Sequence, residues 1–244
     1  MTSSYETIGR PVGRAEGPAK VTGQAIFPAD VNLPGTLVGK CLRSPFPYAK
    51  IVSINQDSVD AARRMSGVHA VLTGDDVPAH LVGRMLRDMP ILARDVVRFA
   101  GQKVVAVAAE DDDIAEEALN LIQIEYEELD PILDPSEAMK PGSPVLHPEF
   151  STYAGLPDDL PTEPNAAGHS QWLNGDVEQG FAEADLLFEH TFKTNHQHQA
   201  YIEPHASVVF LDNGGRVQTW VNSKMPFQVR QELSEGIDMP RDQI

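Results

Sequence analysis

Proline density between residues 135 and 164 is the feature that most constrains the fold of this chain. Seven prolines fall in this stretch: Pro135, Pro141, Pro144, Pro148, Pro157, Pro161 and Pro164. Proline removes a backbone N–H donor and fixes φ, so this density disfavours both long helices and central strands. We therefore expect an extended, proline-rich linker over residues 135–171, running over the surface between two folded regions.

The sequence before the linker predicts a compact α+β domain over residues 25–134. Short apolar runs bounded by turn residues predict strands at residues 25–27, 36–42, 51–54 and 68–73. Lys103–Ala109 reads KVVAVAA, a continuous apolar run short enough for a strand buried on both faces. Residues 121–127 read LIQIEYE, and this alternation predicts a strand with one solvated face.

Two helices are predicted between these strands. Asp57 is the expected N-cap of a helix over residues 58–65, and residues 111–113 can cap a second helix that ends near Asn120. Residues 1–24 are rich in glycine, proline and charge, so we expect an N-terminal arm.

A second folded region is expected over residues 172–244. The sequence predicts a helix at 176–184, a strand at 186–194, a hairpin of strands 206–211 and 216–221 around an Asn-Gly-Gly turn, and a helix from Pro226 to about Ser234. A domain of this size would leave apolar faces uncovered, so we expect it to be incomplete.

Charge and cysteine content exclude several classes of function. The formal net charge is −17, which disfavours binding to nucleic acid or to anionic lipid. The single cysteine, Cys41, cannot form an intrachain disulfide or a four-thiolate cluster. The sequence has no signal peptide and no apolar stretch long enough to span a membrane, so we expect a cytoplasmic protein.

Residues 195–205, with the sequence NHQHQAYIEPH, hold the densest cluster of chemically active side chains. His196 and His198 would share one face of a strand, and Glu203 or His205 could complete a metal site. His-x-His is a weak signal, however, and Pro204 breaks the geometry where further ligands would lie, so for any single histidine a hydrogen-bonded structural role at a strand end is favoured. Buried glutamines also suit the donor and acceptor pattern of an oxo group or a pterin edge.

Six segments together resemble the large subunits of the xanthine dehydrogenase/aldehyde oxidase family of molybdenum hydroxylases. HQAYIEPH at residues 198–205 is similar to the family string H-Q-G-Y-I-E-P-H, with Ala200 in place of glycine. The remaining matches, in the family order, are IGRPV at 8–12 with KVTGQA at 20–25, LRSPFPYA at 42–49, VVRFAGQ at 96–102 and GDVEQGFAEAD at 175–185.

The resemblance implies a hammerhead-type α/β domain followed by an incomplete portion of the molybdopterin-binding domain. It also implies an enzyme that oxidises an aldehyde or a (hetero)aromatic carbon of a small-molecule substrate, using oxygen derived from water. The molybdopterin-type cofactor would be shared with a second polypeptide carrying the rest of the binding region; a naturally split subunit and a fragment of a longer subunit fit the sequence equally well. Electrons would pass to iron–sulfur clusters and FAD on partner subunits.

The resemblance assigns Gln197, Gln199, Tyr201 and Glu203 to cofactor binding. One of the two glutamines would contact the cofactor, and Tyr201 and Glu203 would support it. No catalytic residue is assigned, because the family's glycine-rich G-G-G-F-G-G-K loop and its catalytic glutamate are expected beyond Ile244. Ser223-Lys224 stands where many members of the family have Thr-Gln.

Two other functions stay open from the sequence. The chain could be a non-catalytic assembly or binding module that retains the hammerhead domain, which the missing glycine-rich loop favours. It could also be a metalloenzyme built on the His-x-His pair, with no molybdenum.

Overall fold

A computed structural model describes residues 8–9, 11–156 and 158–244 of the chain. Its helices are α1 (Gly17–Val21), α2 (Gln56–Arg63), α3 (Asp112–Leu121), α4 (Pro135–Ala138), α5 (Val177–Glu183) and α6 (Pro226–Gly236). Its strands are β1 (Val38–Arg43), β2 (Ala49–Ile54), β3 (Val68–Leu72), β4 (Val96–Val97), β5 (Lys103–Ala109), β6 (Ile124–Glu128), β7 (Ser207–Leu211) and β8 (Val217–Val221). Helices and antiparallel sheets are combined, which confirms the α+β prediction.

Strand β5 is the centre of a three-stranded antiparallel sheet in the order β1-β5-β3. It has the bounds that its apolar run predicted, and Val104 and Val105 are fully buried. A strand with neighbours on both edges and cover on both faces loses contact with water, which explains the continuous apolar sequence. Helices α2 and α3 contribute Val59, Ala62, Ala115 and Ala118 to the same core.

A second antiparallel sheet has the order β4-β2-β6. Strand β6 alternates as predicted: Ile124 and Tyr126 pack against the core, whereas Glu125 and Glu127 lie on the solvated face. On that face Lys50 of β2 forms an ion pair with Glu127 at 3.1 Å.

The structure places the cap of one helix differently from the prediction. Asn55, not Asp57, is the N-cap of α2, and its side chain accepts a hydrogen bond from the Ser58 N–H at 3.1 Å. The helix therefore starts two residues earlier, because Asn55 already has the extended backbone that a cap requires. Asp111 caps α3 as expected and accepts from the Ile114 N–H at 2.8 Å.

The proline-rich segment is not extended throughout. It contains α4 and a 3₁₀ turn at Phe150–Thr152. The Asn165 amide bridges three backbone groups by donating to Ala138 O and Pro144 O at 2.9 Å and accepting from the Leu146 N–H at 2.8 Å. One side chain thus replaces hydrogen bonds that the prolines cannot donate.

The hairpin β7–β8 pairs Ser207 with Val221 and Leu211 with Val217, as the sequence predicted. Asp212 closes the turn: its carboxylate accepts from the N–H groups of Gly214 and Arg216 at 2.8 and 2.9 Å. Helix α6 begins at Pro226, also as predicted, and continues to Gly236. Within the described part of the chain, none of the helices has the length and apolarity needed to cross a bilayer.

The predictions of strands at residues 186–194 and near residues 25–27 are wrong. Both stretches lie outside the strands of the structure, and Leu186, Phe188 and Phe192 are 74%, 80% and 88% exposed. A strand requires a neighbour to satisfy its backbone groups, and no described strand runs beside residues 186–194. A segment with a strand-like apolar pattern therefore stays irregular when no partner strand lies beside it.

Candidate functional site

The four residues predicted to bind the cofactor lie in one irregular stretch, residues 195–205, which leads into β7 and is called here the glutamine-rich segment. Gln197, Gln199, Tyr201 and Glu203 all have exposed side chains. The structure therefore brings them together along the chain but does not enclose them. Their role toward a cofactor stays a prediction.

A local turn centred on Ala200 organises this segment. Ala200 has a φ of +49°, in the left-handed region that favours glycine. Its N–H donates a hydrogen bond to His198 Nδ1 at 2.9 Å. The ring of Tyr201 then packs between two histidines, with its centroid 5.1 Å from His198 and 5.1 Å from His205, the latter pair stacked. Tyr201 is thus held from both sides.

Asn222 connects the end of this segment to the hairpin. Its Oδ1 accepts from the Ala206 N–H at 2.7 Å. Its Nδ2 is buried and has no hydrogen-bond partner in the described part of the protein. An orphaned buried amide is costly unless another group accepts from it. Asn222 was not among the residues predicted from the sequence, although a polar residue directly after the apolar strand β8 was an available signal.

The start of the segment is tied to the proline-rich region by an ion pair. Lys193 Nζ lies 3.0 Å from Asp134 Oδ2. This hydrogen bond, with those from the N–H groups of Ser136 and Glu137, lowers the pKa of Asp134 to about 2. Asp134 is also the N-cap of α4, so one carboxylate anchors both the helix and the approach to the site.

The histidines do not form a metal centre in this arrangement. Among residues 8–9, 11–156 and 158–244, no three His, Cys, Asp or Glu side chains converge in a group able to hold an ion. The rings of His198 and His205 instead contact Tyr201. The geometry therefore gives no support to the His-x-His metalloenzyme hypothesis.

The donor set of the segment fits a planar, polar group such as a pterin. Two glutamine amides can each donate and accept along an edge, and the Tyr201 hydroxyl and the orphaned Asn222 Nδ2 add donors. None of these side chains is a preferred ligand of a first-row metal. These amide and hydroxyl groups suit hydrogen bonding to an organic cofactor, and in the described part of the chain the histidines and Glu203 of the segment do not converge on a common metal position.

Large apolar side chains are uncovered within the segment and in the residues that precede it. Ile202 is 98% exposed, Phe188 and Phe192 are similarly exposed, and Trp172 is 93% exposed. Scattered apolar residues are normal on a surface, but this many in one region are typical of a surface that another protein covers.

Comparison with protein families gives two matches in the order of the two folded regions. Residues 22–130 match the model of the aldehyde oxidase and xanthine dehydrogenase a/b hammerhead domain. Residues 160–244 match the model of the molybdopterin cofactor-binding domain. The second match contains the whole candidate segment and Asn222.

Individual relatives agree with both matches. The chain is 35% identical over 232 residues to a protein of Bacillus subtilis named as a probable xanthine dehydrogenase subunit, covering 95% of this chain and 29% of that protein. It is 31% identical over 245 residues to the nicotinate dehydrogenase large molybdopterin subunit of Eubacterium barkeri, covering 100% of this chain and 54% of the relative.

A solved structure agrees at the level of the fold. Quinoline 2-oxidoreductase from Pseudomonas putida 86 superposes with a TM-score of 0.79 at 28% identity, over 99% of this chain and 30% of that chain. The chain thus spans from less than a third to about half the length of these proteins. It belongs to the xanthine dehydrogenase/aldehyde oxidase family and corresponds to the N-terminal part of the molybdopterin-binding large subunit.

Proposed function

We propose that the chain forms part of a molybdenum-cofactor-dependent hydroxylase or dehydrogenase. The complete enzyme would oxidise an aldehyde or a (hetero)aromatic carbon with water-derived oxygen. The observation that carries the proposal is the match of residues 160–244 to a molybdopterin cofactor-binding domain, which spans the glutamine-rich segment. The names of the relatives, a xanthine dehydrogenase subunit and a nicotinate dehydrogenase subunit, support the same class of reaction.

In this proposal the chain's own residues hold and orient the cofactor. Gln197 and Gln199 supply amide donors and acceptors, while Tyr201 and Glu203 support the segment from behind. Asn222 Nδ2 would gain the acceptor that it lacks. When bound, the cofactor supplies the redox centre and the Lewis acid that activates water, and the protein supplies position and hydrogen bonds.

We further propose that a second polypeptide contributes the rest of the molybdopterin-binding region. The uncovered apolar side chains around residues 186–202 support this, because burial of such surface drives association. The relative from Eubacterium barkeri supports it too. This chain covers 54% of that large subunit but only 29% of the Bacillus subtilis relative, so the Eubacterium barkeri subunit is much the shorter of the two. A large subunit of this kind can therefore carry only part of the length seen in other relatives. Iron–sulfur clusters and FAD would lie on partner chains of a cytoplasmic complex, as one cysteine cannot ligate a cluster.

Affinity purification of the chain from its native source tests the proposal. We expect a larger partner to co-purify, with molybdenum, iron and flavin in the complex. Gln197→Ala and Gln199→Ala, compared with the exposed control Gln171→Ala, should separate the roles of the glutamines. At least one of the two should lower molybdenum content and turnover of the complex, and the control should lower neither.

Two results would count against the proposal. A complex that contains a partner but no molybdenum would favour the non-catalytic assembly module instead. Unchanged molybdenum content and turnover in both glutamine variants would show that the site assignment is wrong, even if the complex itself is a molybdenum enzyme.

A further inference from the structure

We propose that this chain carries a second small-molecule site, separate from the glutamine-rich segment, which takes an amphipathic organic anion. The site is a cleft between helix α6 and the loops that flank β4. Its apolar walls are Met89, Ile91 and Phe99 on one side and Val229, Leu233 and Ile237 of the α6 region on the other. This inference does not depend on the proposed enzymatic function.

Two cations stand at one end of the cleft. Arg43, at the end of β1, pairs in register with Lys103, at the start of β5, and both line the cleft. Neither forms an ion pair with any residue that the structure describes. Both cations are therefore available to an anionic ligand. They outnumber the single carboxylate of the cleft, Glu232.

The backbone holds this cationic end in place. The Arg43 guanidinium donates to Gly101 O at 2.9 Å, the Gly101 N–H donates to Ser44 O at 2.8 Å, and the Ser44 N–H donates to Gln102 O at 2.8 Å. The opposite rim is held by the paired bridge between Val82 and Met89. Preformed walls lower the entropy that a ligand would lose on binding.

The Gln102 amide adds a directional donor to the cleft. Gln102 is only 5% exposed and lines the cleft. Its Oε1 accepts from the Arg98 N–H at 2.7 Å, which fixes the orientation of the amide. Its Nε2 donates to no acceptor among the described residues. This Nε2 does not belong to the buried, unpaired polar atoms of the described residues, so it is open to solvent and available to an acceptor in the cleft.

The combination selects a chemical class of ligand. The cleft has a volume of about 420 Å³, within the range of small-molecule sites, and its walls are mainly apolar. A carboxylate at the Arg43–Lys103 end would accept charge-assisted hydrogen bonds, and an aromatic or branched body would fill the apolar part. A neutral molecule of the same shape would contact the apolar walls but would lose the charge-assisted hydrogen bonds to Arg43 and Lys103.

Titration of the purified 244-residue chain with sodium phenylacetate, followed by calorimetry and by the NMR signals of the Gln102 side-chain amide and the Leu233 methyl groups, tests the site. Phenylacetamide is the neutral control. We expect saturable binding of phenylacetate at these signals and binding of phenylacetamide that is about tenfold weaker or more, from the loss of a charged hydrogen bond. Lys103→Met should weaken phenylacetate binding by a similar factor.

Lys50→Met is the matched control, because Lys50 is an exposed strand lysine outside the cleft. It should leave phenylacetate binding unchanged. The inference is overturned if phenylacetate gives no saturable response, if phenylacetamide binds equally well, or if the two lysine variants weaken binding to the same extent.

Discussion

The guanidinium of Arg87 and the carboxylate of Glu235 are hydrogen-bonded to each other, with Arg87 Nε 3.2 Å from Glu235 Oε2. The Arg87 N–H also donates to Ala154 O at 2.9 Å. A single residue thus connects the irregular stretch after β3, the proline-rich segment and helix α6. Neither the Arg87–Glu235 contact nor the Arg87–Ala154 contact is local in sequence, so both depend on the tertiary packing of these segments.

We predict that Glu235→Gln lowers the free energy of unfolding by at most about 1 kcal/mol, because both side chains remain about one-third exposed. Hydrogen bonds from Gln231 and Arg87 hold the pKa of Glu235 below its usual 4.5. The stabilisation from this carboxylate is therefore present above pH 4.5 and is lost as pH falls through the lower folded value. Urea unfolding at pH 7 and pH 4 checks this; Glu178→Gln, an exposed carboxylate on α5, should show neither effect.

Gly155 tests whether the proline-rich segment packs on the first domain. It has a φ of +85°, and a Cβ added there would collide with Met85 O. We predict that Gly155→Ala lowers the free energy of unfolding by about 1–2 kcal/mol or more, from strain and displacement of the loop. Gly168→Ala has open space around the new methyl group and should change it by less than about 0.5 kcal/mol. Equal effects in urea denaturation would contradict this packing.

Ala200 stands in a left-handed conformation where the related string has glycine. We predict that Ala200→Gly raises the free energy of unfolding of the 195–205 turn by roughly 0.5–1 kcal/mol, because relief of strain exceeds the added entropy of the unfolded chain. Slower amide hydrogen exchange at residues 199–206 is the measurement. The same change at Ala184, where φ is −74°, should speed exchange locally or leave it unaltered. Faster exchange in Ala200→Gly would refute the strained turn.

His147 makes the stability of the proline-rich segment depend on pH. Its Nδ1 lies 3.0 Å from the Tyr153 hydroxyl, and burial, followed by the charge of Arg98, lowers the pKa of the imidazole below its usual 6.5. The unfolded chain therefore binds more protons just below pH 6.5. We predict that the free energy of unfolding falls as pH drops from about 7.5 to 5.5. His147→Gln should flatten this part of the profile; an unchanged slope in the variant would assign it to other groups.

The sequence predicted the structure best where an element depends only on residues close together in the chain. The run KVVAVAA predicted β5 to the residue, and the Asn-Gly-Gly turn predicted the β7–β8 hairpin. Both signals are local: a continuous apolar run needs only cover, and a hairpin closes on itself. The N-cap of α2 was misplaced because Asn55 and Asp57 are both good caps, and only the backbone angle at the start of the helix decides between them.

The sequence by itself determined the family and the elements whose hydrogen bonds close within short stretches. The tertiary structure alone decided that residues 186–194 remain irregular, that Ala200 adopts a left-handed turn, that the Asn222 amide is buried without a partner among the described residues, and that Arg43 and Lys103 meet beside an apolar cleft. The physical reason is that strand formation, strain and desolvation depend on groups distant in the chain. Their positions follow from packing and not from local pattern.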